Sequence, residues 1–80
     1  MKTKNHYLSD VERADALAEE IAESLGDLTN IDRYRRMCRT HDRQIVYRAY
    51  REAADMPISK IKKSRTALFI YLLRKYAEEA

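Results

Sequence analysis

The stretch Ser9-Asp10-Val11-Glu12-Arg13-Ala14-Asp15-Ala16-Leu17-Ala18-Glu19-Glu20-Ile21-Ala22-Glu23-Ser24-Leu25-Gly26 decides the fold class. Its apolar residues fall at Val11, Ala14, Leu17, Ala18, Ile21, Ala22 and Leu25, the three-and-four spacing of one helical face. Ser9 stands three residues before Glu12, the spacing of a capping box, in which each side chain satisfies the other's orphan backbone N–H. Gly26 follows directly and suits the left-handed position that ends a helix. The opposite face is acidic, with Asp15, Glu19 and Glu23 in repulsive i,i+4 steps.

Outward from this helix the pattern continues. Thr29 and Asp32 repeat the capping-box spacing, predicting a second helix from near Asn30 with Ile31, Tyr34, Met37 and Cys38 as its apolar side. It is short, ending around Arg39 to His41. Asp42 is the expected cap of a third helix, whose stripe is Ile45, Val46, Ala49, Tyr50, Ala53 and Ala54. Met56-Pro57 ends it, because proline disfavours helical geometry at the residue before it. Ile58 to Lys63 forms a connector with room for one helical turn, and a last helix is predicted from Ser64 or Arg65 to Glu78. Its centre, Ala67-Leu68-Phe69-Ile70-Tyr71-Leu72-Leu73, is apolar nearly all round. Such a helix is either packed by neighbours on several sides or left with a face for another subunit.

Composition agrees. One glycine and one proline in 80 residues leave little for the turns of an all-β fold. The expected fold is therefore all-α: a compact bundle of about four helices with the hydrophobic last helix at its centre. Residues 9–80 are expected to form one domain and residues 1–8 a flexible tail. A chain of this length buries only about 60% of its unfolded surface, so the core is thin. Cys38 has no partner for an internal disulfide, the first residues carry no apolar stretch of a signal peptide, and the longest apolar run is far short of the roughly 20 residues that span a bilayer. These features lead us to expect a cytoplasmic protein with no membrane contact.

The charges are segregated. Asp10 to Asp32 holds eight acids against Arg13 alone, whereas Arg33 to Tyr76 carries a net +10. Asymmetry of this kind speaks to partners rather than to fold. Arg35, Arg36, Arg39 and Arg43 are the first candidate set, with Arg36, Arg39 and Arg43 spaced i, i+3, i+7 as on one helical face. Arginine's planar fork grips phosphate with two bonds. Lys60, Lys62, Lys63, Ser64 and Arg65 form a second set at the start of the last helix, whose free N–H groups and positive dipole end also favour an anion. The competing account has these bases solvating the surface and pairing with the acidic first helix. A helix–turn–helix over Tyr50 to Leu68 is a further candidate, with its turn at Asp55-Met56-Pro57-Ile58, a second helix from Ser59, and Ala54, Ile58 and Ile61 buried. Among six tyrosines, Tyr34, Tyr50 and Tyr71 sit on core stripes, and Tyr47 departs from its stripe as the candidate for a binding role.

No constellation for catalysis emerges. His41-Asp42 lacks further metal ligands, the other histidine being His6 near the start, so neither metal nor cofactor is expected. Cys38 and His41 stand at i,i+3, but no third group orients them, and Cys38 reads as a small core residue.

The segment Lys63-Ser64-Arg65-Thr66-Ala67-Leu68-Phe69-Ile70-Tyr71-Leu72, preceded by Ile58 and Ile61, resembles small helical modules near the C-terminus of some proteins of bacterial plasmids and other mobile elements. The resemblance covers the last third to half of the chain and implies an accessory role in DNA replication, transfer or defence. The sequence thus leads to a non-catalytic nucleic-acid-binding module, or to a protein-interaction module, a subunit, inhibitor or homodimer docking by its charged faces.

Overall fold

Among residues 10–80 four α-helices follow one another: α1 (Asp10–Ser24), α2 (Ile31–Thr40), α3 (Arg43–Asp55) and α4 (Arg65–Glu79). The structure, a computed structural model, describes residues 10–80, so the Ser9 cap and the 1–8 tail lie outside the described residues. No strand occurs among these residues, and no helix is long and apolar enough to cross a membrane.

Helix α1 stops as its sequence predicts. Gly26 takes φ +71, Asp27 N–H donates to the Ala22 carbonyl at 2.7 Å, and Gly26 N–H donates to Glu23 at 3.1 Å. This is a Schellman ending, in which two otherwise orphan carbonyls find donors. Helix α2 begins beside Asn30 as expected, but not through the capping box. Leu28–Asn30 is a 3-10 turn that encloses Thr29, Asn30 makes no side-chain cap bond, and Asp32 pairs with Arg35. The cause is Asp27, which accepts from Asn30 at 2.9 Å and from the Tyr34 hydroxyl at 2.8 Å, and so shapes the turn itself. Asp42 caps α3 by accepting from Gln44 N–H at 2.7 Å. At the other end Met56 is extended (φ −67, ψ 130), as Pro57 requires. Ser64 caps α4 by accepting from Ala67 N–H at 3.0 Å.

The helices pack mainly as two pairs, α1 on α2 and α3 on α4. Alanines set this closeness: Ala18 and Ala22 on α1, and Ala49 and Ala53 on α3, are fully buried at i,i+4 spacing. Side chains that small let neighbouring helices approach closely. One core joins the pairs. Phe69 of α4 is fully buried and stacks on the fully buried Tyr34 of α2, with centroids 6.1 Å apart. The Tyr34 hydroxyl has one hydrogen, which goes to Asp27, so at its 3.0 Å contact the Thr66 hydroxyl donates to Tyr34. Arg48 of α3 lies 3.8 Å from the Tyr76 ring centroid, and the Tyr76 hydroxyl donates to Glu52. Helix α4 thus places Phe69 at the meeting of both pairs, yet it is not enclosed all round. Tyr71, expected on a core stripe, is 61% exposed, and Ile70 is half-buried.

The helix–turn–helix does not form. After Pro57 comes only a 3-10 turn at Ile58–Lys60, Ile58 is 79% exposed, and the next α-helix waits until Arg65. A connection over residues 56–64, with that turn inside it, replaces the tight corner.

Candidate nucleic-acid interface

The predicted i, i+3, i+7 face of Arg36, Arg39 and Arg43 is broken by a helix boundary. His41 is extended (φ −121, ψ 156) and Arg43 already belongs to α3. The arginines of α2 consequently divide between its sides. Arg35 and Arg39, four residues apart, turn toward α1. Arg39 grips the Asp15 carboxylate with two bonds, Nε–Oδ1 at 3.0 Å and Nη2–Oδ2 at 2.8 Å. Its guanidinium holds the Asp15 carboxyl below the usual carboxylate range. Arg35 bonds Asp32 at 2.9 Å and approaches Glu19 at 3.7 Å, while its Nε is out of water without an acceptor. These two arginines do pair with the acidic helix, as the competing account of the charges held.

Arg65 is also engaged. Its Nη1 donates to the carbonyls of Ala53 at 2.9 Å, Ala54 at 3.2 Å and Met56 at 2.6 Å, which closes the C-terminal end of α3. A cation there satisfies orphan carbonyls and complements the negative dipole end. Arg43 lies elsewhere, lining a groove of about 330 Å³ with Asp10, Arg13, Leu17 and Arg39. Lys60, Lys62 and Lys63 are exposed on the α3–α4 connection.

On the far side of α2 the arrangement differs. Helices α2 and α4 meet through Tyr34 rather than backbone to backbone, so a trough remains between them. It holds two clefts that share Arg33, Ile70 and Arg74 as lining residues. One, of about 450 Å³, is lined by Arg33, Ser64, Thr66, Ala67, Ile70, Tyr71 and Arg74. The other, of about 290 Å³, is lined by Arg33, Arg36, Met37, His41, Ile70, Leu73 and Arg74. Arg33 and Arg36 are i,i+3 on α2, and Arg74 faces them from α4. None of the three forms an ion pair among the described residues, and no carboxylate lines either cleft. Asp27 feels the charge of Arg33, but its carboxylate is already bound by Tyr34 and Asn30, which together hold its pKa below the usual value. Ser64, spent as an acceptor in the cap, keeps its hydroxyl hydrogen for a ligand. Lys62 and Lys63 immediately precede it, so the second predicted basic cluster adjoins this trough at one end.

The sequence thus placed Arg36 and Ser64 in the candidate site and missed Arg33 and Arg74. The signal for Arg33 was present, since it shares a helical face with Arg36 and Met37, whereas Arg74 is distant in sequence. Cys38 and His41 are no dyad. Burial pushes the thiol up to about 11, and His41 Nδ1 contacts the Met37 carbonyl at 3.0 Å. Comparison of the chain with protein-family models, with curated proteins and with solved structures gives no match in any of the three.

Proposed function

We propose that this chain is a non-catalytic accessory module that binds nucleic acid through the trough between α2 and α4. One observation carries the proposal: three guanidiniums, Arg33, Arg36 and Arg74, converge on one trough without a carboxylate among its lining residues. Guanidiniums left unpaired beside one another repel, and a phosphate chain relieves that repulsion while releasing condensed counterions. Lys62 and Lys63 are exposed just ahead of Ser64 in the chain and add positive charge at that end of the trough. Contacts of this kind hold the phosphate backbone and do not read base identity. The resemblance of Lys63 to Leu72 to modules of mobile-element proteins supports a setting in DNA replication, transfer or defence.

Titration of labelled oligonucleotides across a salt series tests this. The parent should bind with micromolar or tighter affinity at low salt. The Arg33→Ala/Arg74→Ala variant should lower the log–log salt slope by about one to two, since each lost phosphate contact removes about 0.7–0.9. Arg39→Ala should leave the slope unchanged, because Arg39 is committed to Asp15. Absence of binding to single- and double-stranded DNA and RNA alike would overturn the proposal and turn the basic surface into a site for docking another protein.

A further inference from the structure

We infer that the trough accepts an unpaired strand, with a base laid on the Tyr71 ring and the flanking phosphates held by Arg33 and Arg74; this rests on the nucleic-acid function proposed above. Tyr71 is 61% exposed on a helix whose other large apolar residues are buried or half-buried. It lines the same cleft as Arg33 and Arg74, over a floor of Ala67 and Ile70. Phosphate alone has no use for such a floor. A nucleobase does, because every base has a flat apolar face and an exposed aromatic ring is the sequence-tolerant platform for it.

Shape agrees with chemistry. A duplex hides its base faces and presents a convex backbone, which proteins usually read by pushing a protruding helix or ribbon into a groove. Here the basic residues line a recess between two helices, and a recess admits a thin, flexible chain. Tyr47, the other exposed tyrosine among the described residues, makes the contrast clear. Tyr47 is 44% exposed, but its ring packs edge-on against Tyr50 at 6.0 Å and its hydroxyl accepts from Arg51 at 3.4 Å. The Tyr71 ring has no aromatic or cationic partner among the described residues, so its face is available.

Three labelled probes of equal length separate the contributions: an oligo-dT strand, an abasic strand with the same phosphates, and a duplex. The full chain should bind oligo-dT about tenfold more tightly than the abasic strand. Tyr71→Ala should lower oligo-dT binding to the abasic level, Tyr71→Phe should restore it, and Arg33→Ala/Arg74→Ala should weaken both strands together. Tyr71 contributes little to the core, and a far-ultraviolet dichroism spectrum checks that its variants fold. Equal binding of oligo-dT and abasic strands, or an unchanged oligo-dT affinity in Tyr71→Ala, would overturn the inference while leaving phosphate binding in place. Binding to none of the three probes would remove the underlying function as well.

Discussion

Tyr34 is the residue on which most of the molecule depends. Its ring joins the helix pairs, and its hydroxyl ties the α1–α2 turn to the start of α4 through Asp27 and Thr66. Burial, with the Asp27 bond and charge, raises its pKa from 10.0 to about 12 despite the opposing Thr66 bond. Burial, with the charge of Asp15, raises Cys38 from 9.0 to about 11. In both cases the folded state holds the proton more tightly than the unfolded chain. Their contributions to stability are therefore complete below pH 9 and are lost as pH rises through about 11 and 12. Thermal unfolding midpoints should fall across that interval, with the upper part of the decline removed in Tyr34→Phe and the lower part in Cys38→Ala. At the acid end the sign reverses. Asp15 and Asp27 lie below their ordinary 3.8, held by Arg39 and by Tyr34 respectively, so their contributions fade as pH falls below that value.

At the scale of elements, each helix end has its own device, and the devices differ in how far sequence reveals them. Gly26 and Asp42 act where local sequence places them, and Ser64, expected at the start of α4, caps it. The closure of α3 by Arg65 depends on a residue beyond the connection at 56–64, and no local pattern announces it. Urea denaturation should rank the ends. Ser64→Ala should cost about 1 kcal/mol, the usual worth of an N-cap. Arg65→Ala should cost about 1.5–3 kcal/mol, because a charged donor leaves carbonyls without a partner. Thr29→Ala should stay within about 0.5 kcal/mol, since Thr29 sits inside the 3-10 turn and caps nothing. A large loss in Thr29→Ala would show that the capping box forms after all.

For the whole molecule, the thin core is the governing fact. For a chain of 80 residues the net stability is roughly 4–12 kcal/mol at about 0.05–0.15 kcal/mol per residue. Phe69→Ala removes the ring that meets Tyr34 and should cost about 3–5 kcal/mol. That is a large part of the total, so the variant should show a much lowered or absent cooperative melt by circular dichroism. The charge segregation also acts at this scale. Acidic α1 neutralises one side of α2 through Asp15 and Glu19 and leaves the other side, with α4, positive. A single helix with arginines around it has thereby acquired a structural side and a candidate binding side.

The helices, their order and most of their ends were legible in local sequence, because periodicity, caps and proline act within a few residues of chain. The sequence also placed Arg36 and Ser64 in the candidate site, with Lys62 and Lys63 next to Ser64 in the chain. It could not tell Arg33 and Arg36 from Arg35 and Arg39, since all four look alike until α1 covers one side of α2. Nor could it see Arg74 opposite them, or Tyr71 turned to water rather than into the core. Those distinctions came only with the tertiary structure. A guanidinium is free or engaged according to which carboxylates and carbonyls packing brings within reach, and that depends on residues far away in the chain.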